Sequence, residues 1–179
     1  SGRYRLSDPY FRFYFQFLEP FLSSSPHNTE QVIEAVRRNL RAFVGVSAFE
    51  ELAREWMQVQ SNAGKLPFAP DAIGSHWSSR VQVDVVAINW KTHEILLGEC
   101  KWGTDRVDRQ IVRELIETKT PLVLKDLPSE GIGWQVYYAL FARSGFTPAA
   151  IEQLQKVGGL AVDLNELDAV LGHEESHIE

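Results

Sequence analysis

The strongest constraint on the fold is an apolar run that ends in two charges. The stretch "ILLGECKW", residues 95–102, begins like a buried strand and then carries Glu99 and Lys101 one residue apart. An ionised side chain removed from water costs several kcal/mol unless a counter-charge or a metal ion compensates it. The strand must therefore end where its charges are paired or bound.

A second predicted strand lies directly before this one. Residues 81–90 alternate valines with polar side chains, which is the period of a half-buried strand. Lys91 and Thr92 are a plausible turn, after which the next strand runs over 93–102. Lys-Thr is not a favoured dipeptide for a two-residue hairpin loop, so a longer loop is also compatible with the sequence.

A hairpin of these two strands brings polar side chains to one face. With the two-residue loop, Asp84 lies opposite Glu99, and Gln82 lies opposite Lys101. Side chains that face each other in an antiparallel pair have Cβ atoms about 4.5–5.5 Å apart. A register slip of one residue would separate them, because it moves a whole strand's side chains to the other face.

Two carboxylates beside a lysine have two chemical interpretations. In the first, a divalent cation lies between Asp84 and Glu99; hard oxygen ligands suit Mg²⁺ or Mn²⁺ rather than zinc. A lysine beside such a cation can activate a water and stabilise charge on a phosphate. In the second, Asp84, Glu99 and Lys101 form a salt-bridge cluster that binds nothing.

The rest of the chain alternates strands and helices, which predicts an α/β fold with a mixed sheet covered by helices on both faces. Helices are predicted from Thr29 to Gly45, from Ser47 to about Val59, from Asp105 to about Lys119, from Thr147 to Gly158 and over 165–171. Further strands are predicted over 134–142 and 160–164, with 121–124 as a short strand or extended piece and 62–75 as a loop.

Composition narrows the class of protein. The chain has 179 residues, a net charge of -6 and one cysteine, Cys100, so an internal disulfide is excluded and a reducing, cytoplasmic setting is expected. The acidic charge argues against bulk electrostatic coating of nucleic acid. No apolar run reaches the roughly 20 residues of a membrane helix, and no phosphate-loop motif for ATP occurs. The chain starts abruptly, as expected of a fragment.

The charged strand ends resemble a known nuclease core. "QVDVVAINWKTHEILLGECKW" is similar to the PD-(D/E)XK nuclease superfamily. Across nearly the whole chain, "SDPYFRFYFQFLEP", "AFEELAREW", "IGSHW", "VDVVAIN", "GECKW" and "YYALFARSGFT" resemble, in order, the uncharacterised C-terminal domain of archaeal-type AAA ATPases. The resemblance implies a restriction-endonuclease-like fold, hydrolysis of DNA or RNA, and a P-loop ATPase and winged-helix part in the same full-length protein.

The resemblance also implies roles for individual residues. Asp84 and Glu99 would bind Mg²⁺ or Mn²⁺ together with the backbone carbonyl of Cys100, and Lys101 would be the catalytic lysine. Glu50 matches the additional acidic residue that many members place on the helix before the sheet.

Several positions have a second interpretation. Ser47 and Glu50 also form a capping box, in which Glu50 bonds the Ser47 backbone. Gln82 stands where related sequences often carry Glu, which leaves open an inactive module that binds nucleic acid or docks to its ATPase. The Cys100 side chain is expected in the core, and Trp77 and Trp102 as core residues rather than base-stacking platforms.

Three arginines after the motif form a candidate contact to nucleic acid. Arg106, Arg109 and Arg113 have the spacing of one helix face, where they would contact backbone phosphates. The alternative is a solvated helix face on which neighbouring acidic residues balance the charge.

The predicted domain organisation has three parts. Residues 1–24 form an aromatic N-terminal segment, helical over Tyr10–Phe21, that would contact the missing ATPase part or a second copy in a homo-oligomer. Residues 25–172 form the nuclease-like domain, and residues 173–179 a frayed tail.

Overall fold

A computed structural model describes Glu19 and residues 29–172. Apart from Glu19, which is helical, the predicted helix over Tyr10–Phe21 lies outside the described residues, as does the predicted tail. The contacts divide the chain into two units, Ser1–Ala48 and Phe49–Glu179. The sheet and the charged strand ends all belong to the second unit.

Helix α1 spans Thr29–Asn62 without interruption. Gly45 lies within it, so the predicted break between Gly45 and Ser47 is wrong. Glycine in a helix interior costs only about 1 kcal/mol relative to alanine, which does not suffice to end a long helix. Because Ser47 is an interior helical residue, the capping box with Glu50 is wrong too.

The described residues form an open, five-stranded mixed sheet in the order β1-β2-β3-β4-β5. Its strands are β1 (Ala72–Trp77), β2 (Gln82–Asn89), β3 (Glu94–Lys101), β4 (Gln135–Ala142) and β5 (Leu160–Asp163). The first three are antiparallel neighbours, and β4 and β5 run parallel to β3. The α/β class and the mixed sheet are confirmed, whereas β1 lies partly in the predicted loop.

Strands β2 and β3 pair in the predicted register. Val85 lies opposite Gly98, and Asn89 lies opposite Glu94. The connecting loop, Trp90–His93, is longer than the predicted turn but leaves the pairing unchanged. The Asn89 side chain supports this loop, since its Oδ1 accepts two backbone N–H groups from it at 2.9 and 3.0 Å.

The crossover from β3 to β4 is helical but differs from the prediction at both ends. It consists of α2 (Arg109–Arg113), a π-helical stretch (Glu114–Lys119) and α3 (Thr120–Leu124). The helix begins after Asp108, whose carboxylate accepts the N–H groups of Gln110 and Ile111. The predicted start at Asp105 and the extended piece over 121–124 are therefore wrong. Pro121 is tolerated in α3 because it lies in the first turn.

Helices cover both faces of the sheet, as predicted. Helices α2, α3 and α4 (Pro148–Lys156) pack on one face, and the second half of α1 with α5 (Leu164–Leu171) packs on the other. The caps predicted for α4 are confirmed, since the Thr147 hydroxyl accepts the N–H of Ala150. None of the described helices is both long and apolar enough to span a lipid bilayer.

Candidate active site

The pairing of β1 with β2 is irregular where Asp84 lies. Val83 and Val86 pack in the core on one face of the sheet, whereas Val85 packs on the other, and the β1–β2 register shifts at the same level. An irregularity of this kind redirects a side chain. The Asp84 carboxylate consequently reaches the neighbouring strand, where its Oδ2 accepts the backbone N–H of Cys100 at 2.9 Å.

Glu99 is the buried centre of the site, with an exposed fraction of 3%. Its Oε1 lies 2.6 Å from the Nζ of Lys119, and its Oε2 lies 3.3 Å from the Nζ of Lys101. Burial and the nearby Asp84 carboxylate raise the pKa of Glu99, while the two lysines act in the opposite direction. The net elevation means that the ionised Glu99 has less compensating charge than its burial demands.

Lys119 is a site residue that the sequence does not reveal. It ends the π-helical stretch, and its Nζ also donates to the backbone carbonyl of Gln82 at 3.1 Å. π-Helical stretches are rare and occur frequently at functional sites. No spacing in the sequence connects Lys119 with Glu99, because the contact arises only when the crossover helix packs on the sheet.

Lys101 is the more accessible of the two lysines. Its side chain is 35% exposed, compared with 21% for Lys119. It is the last residue of β3 and lies beside Ala142 at the end of β4. Lys101 can therefore contact a molecule from solvent while it remains paired with Glu99.

Cys100 lies on the opposite face from Glu99, as predicted, and packs with the core against α1. Burial raises the pKa of its thiol, and the carboxylates of Asp84 and Glu50 add to this effect. The thiol is therefore protonated at neutral pH and is not a nucleophile. The role of its backbone carbonyl as a metal ligand stays a prediction.

Glu50 is connected to the site through Arg54. The Arg54 Nη1 lies 3.9 Å from the Glu50 Oε2 and donates to the backbone carbonyl of Asp84 at 3.4 Å. Glu50 influences the pKa of Cys100 but is not among the groups that shift the pKa of Glu99. The structure therefore places Glu50 beside the Cys100 face of the sheet.

The three predicted arginines do not form one helix face. The helix begins at Arg109, so Arg106 precedes it in the loop after β3. Arg113 forms an exposed ion pair with Glu117, with its Nε 3.1 Å from a carboxylate oxygen. The predicted stripe is wrong, because Asp108 caps the helix later than the spacing of the arginines suggested.

The two tryptophans near the site differ in their surroundings. Trp77 is 66% exposed at the end of the edge strand β1, contrary to its expected place in the core. Trp102 packs its ring 5.3 Å from that of Phe49. The guanidinium of Arg143 lies over the Trp102 ring, 4.7 Å from its centroid.

Sequence comparison assigns the chain to a family. The pattern of a family described as archaeal and bacterial proteins of unknown function, DUF234, matches residues 14–114, which is more than half of the 179 residues. The chain belongs to the DUF234 family. The matched part of this DUF234 chain includes Asp84, Glu99 and Lys101, while Lys119 lies just beyond it.

A relative in Methanocaldococcus jannaschii is similar to most of this chain. It is the uncharacterized protein MJECL04, and it is 28% identical over 145 residues. The match covers 80% of this chain but only 31% of the relative. No solved structure matches the DUF234 chain.

Proposed function

We propose that this DUF234 chain is a metal-dependent, nuclease-like domain that hydrolyses phosphodiester bonds in DNA or RNA. The observation that supports the proposal most directly is the buried carboxylate of Glu99. Its pKa is raised next to a second carboxylate, Asp84, and it lies near the carboxyl end of β3. Carboxylates in such an environment favour an additional cation. The α/β sheet with helices on both faces agrees with the restriction-endonuclease-like fold that the sequence resemblance implies.

The donor set fits Mg²⁺ or Mn²⁺ in its chemistry. Asp84 uses only Oδ2 in its bond to Cys100, and no described residue donates to its Oδ1. Glu99 and Asp84 together offer hard oxygen ligands, which these ions prefer. The described residues contain no cluster of three or more His, Cys, Asp or Glu side chains arranged for a metal. The remaining ligands would therefore be the Cys100 carbonyl and water.

The four site residues would have different roles in the reaction. Asp84 and Glu99 would hold the cation, which when bound supplies positive charge that activates water and stabilises the phosphate. Lys101, being partly exposed, would donate a hydrogen bond to the attacking water or to a phosphate oxygen. Lys119 would keep Glu99 ionised and hold its side chain in place from the buried side.

A second candidate function has an observation of its own. Both Glu99 oxygens already contact lysines, and Asp84 bonds a backbone N–H. These contacts supply part of the compensating charge without a metal, as expected of a nuclease fold that has lost catalysis. Such a module would bind nucleic acid or dock to an ATPase.

Metal titration separates the two candidates. We expect calorimetry to detect Mn²⁺ or Mg²⁺ binding by the wild type. Asp84→Asn should weaken this binding by about tenfold or more, because mutating even a residue that only hydrogen-bonds to a metal ligand lowers metal affinity by about 10–100-fold. Asp168→Asn, an exposed change on α5, is the matched control and should leave binding unchanged. Cleavage of labelled DNA and RNA should disappear in Asp84→Asn alone. A wild type that binds neither metal would reject the nuclease proposal and favour the second candidate.

The wider context of the domain is also a proposal. The chain spans 31% of its Methanocaldococcus jannaschii relative, which leaves most of that protein outside the match. We propose that the domain works in one protein with a P-loop ATPase and a winged-helix part, that it contacts them or a second copy through the N-terminal segment, and that it acts in the cytoplasm. Co-purification of separately expressed parts, with and without residues 1–24, tests this arrangement.

A further inference from the structure

A cavity of about 470 Å³ lies at the carboxyl ends of the parallel strands. Two arginines line it: Arg106 from the loop after β3 and Arg143 directly after β4. Asp163, the last residue of β5, and Asn165, in the first turn of α5, line it as well. The carboxyl ends of parallel strands are where open α/β sheets commonly bind ligands.

The loops that form this cavity are bonded to each other. The Val107 N–H donates to the Gly145 carbonyl, and the Thr147 N–H donates to the Val107 carbonyl, each at 2.9 Å. The Ser144 hydroxyl donates to the Gly103 carbonyl at 2.8 Å. These contacts hold the loops in place without a ligand. Binding a ligand would therefore lose little free energy to ordering of the backbone.

The two arginines lack carboxylate partners among the described residues. By contrast, Arg80 pairs with Asp126 and Arg113 pairs with Glu117. Arg143 is oriented by its position over the Trp102 ring, 4.7 Å from the centroid. Unpaired guanidinium groups that converge on a cavity, in a chain of net charge -6, indicate an anionic ligand.

The net charge of the cavity lining indicates which kind of anion it would bind. Asp163 contributes one carboxylate, but its Oδ1 accepts the Glu166 N–H and it forms no ion pair with either arginine. Two arginines and one carboxylate leave a net charge near +1. A phosphodiester, with a single negative charge, matches this balance better than a dianionic phosphomonoester.

The cavity adjoins the candidate active site through the backbone. The N–H of Arg143 donates to the carbonyl of Lys101 at 3.0 Å. This bond places the loop after β4 beside the last residue of β3, at the same end of the sheet as the candidate active site. Resting on the proposed function, we infer that Arg106 and Arg143 bind a backbone phosphate of the nucleic-acid substrate away from the phosphate that is cleaved.

Binding without metal tests this inference. The probe is a fluorescein-labelled, 20-nucleotide single strand or its duplex, measured by fluorescence anisotropy in EDTA and low salt. Arg106→Ala/Arg143→Ala should weaken binding by about tenfold or more and reduce the salt slope by about 1 to 2. Arg143→Lys keeps the charge but loses the two-pronged contact, so its loss should be smaller.

The matched control removes the same charge elsewhere. Lys65→Ala/Lys91→Ala changes two exposed basic residues outside the cavity and should alter binding far less. Equal weakening in both double variants would overturn the inference, because only bulk charge would then matter. Failure of the folded wild type to bind either probe would also overturn it. Melting curves establish that each variant is folded.

The result is distinguishable from failure of the nuclease proposal. If the wild type binds no divalent metal but the cavity variant selectively loses the oligonucleotide, the phosphate site stands and catalysis is rejected. If metal binding and cleavage are present but the cavity variant keeps wild-type affinity and KM, the phosphate site alone is rejected.

Discussion

The Nζ of Lys119 lies 2.6 Å from the Oε1 of Glu99, although the two residues are 20 positions apart. This ion pair joins the end of a π-helical stretch to a strand end that is almost fully buried. It also holds the Gln82 carbonyl through the same ammonium group. Lys119 therefore connects β2, β3 and the crossover helix at the candidate active site.

Removing this lysine should destabilise the fold. Lys119→Ala leaves the buried Glu99 with Lys101 alone, and an uncompensated buried charge costs up to about 3–5 kcal/mol. Because Lys101 remains and Lys119 is partly exposed, we expect a loss of about 1–3 kcal/mol in urea unfolding. Lys156→Ala, which breaks an exposed pair with Glu152, is the control and should change little. Equal stability of the two variants would contradict a structural role for Lys119.

Lys101 should affect turnover rather than metal binding. Lys101→Ala removes a positive charge next to the proposed cation, so divalent-metal affinity should persist or increase in calorimetry. Single-turnover cleavage should nevertheless slow, since the lysine acts on the attacking water or the transition state. Lys125→Ala, an exposed change beyond α3, should alter neither quantity. A parallel loss of metal affinity in Lys101→Ala would count against this division of roles.

Gly98, the residue before Glu99, allows Val85 and Phe141 to pack closely against β3. A Cβ at this position would lie 3.1 Å from the Val85 Cβ and 3.4 Å from the Phe141 ring. Gly98→Ala should therefore destabilise the fold by about 1–2 kcal/mol through overpacking. Gly74→Ala on β1 meets nothing within 4 Å and should be neutral or slightly stabilising. Urea unfolding of both variants makes the comparison, and a neutral Gly98→Ala would disprove the packing argument.

Asp126 should make stability depend on pH in the acid range. The Arg80 guanidinium and, more weakly, His76 hold the pKa of Asp126 below its ordinary value of 3.8. A lowered folded-state pKa stabilises the protein above the unfolded-state pKa, and this stabilisation is lost as pH falls through the folded-state value. Asp126→Asn should therefore be less stable than the wild type at pH 7, with the difference shrinking below about pH 4.

Melting temperatures at pH 7, 5, 4 and 3 measure this difference. Asp168→Asn serves as the control and should show no such pH dependence, because Asp168 has no side-chain ion pair among the described residues. A difference between Asp126→Asn and the wild type that grows towards acid pH would have the wrong sign and would refute the prediction.

The sequence alone predicted the pairing of β2 with β3 that brings Asp84 close to Glu99. The alternation of β2 excludes a slip of one residue, which would exchange its two faces, whereas a slip of two would keep them; the observed register is the one that the two-residue loop predicts, although the loop is longer. Local capping chemistry likewise determined where α4 begins, because the Thr147 hydroxyl and the following proline act within one helical turn.

Tertiary structure decided what surrounds these carboxylates. Lys119 reaches Glu99 only because a π-helical stretch packs on the sheet, and Arg143 and Arg106 line one cavity only because β4 lies beside β3. The edge strand β1 also depends on a partner distant from it in the pattern of the sequence, since it forms by pairing with β2. Contacts between residues far apart in sequence leave no local pattern, since their energy comes from packing and long-range charge rather than from neighbouring residues.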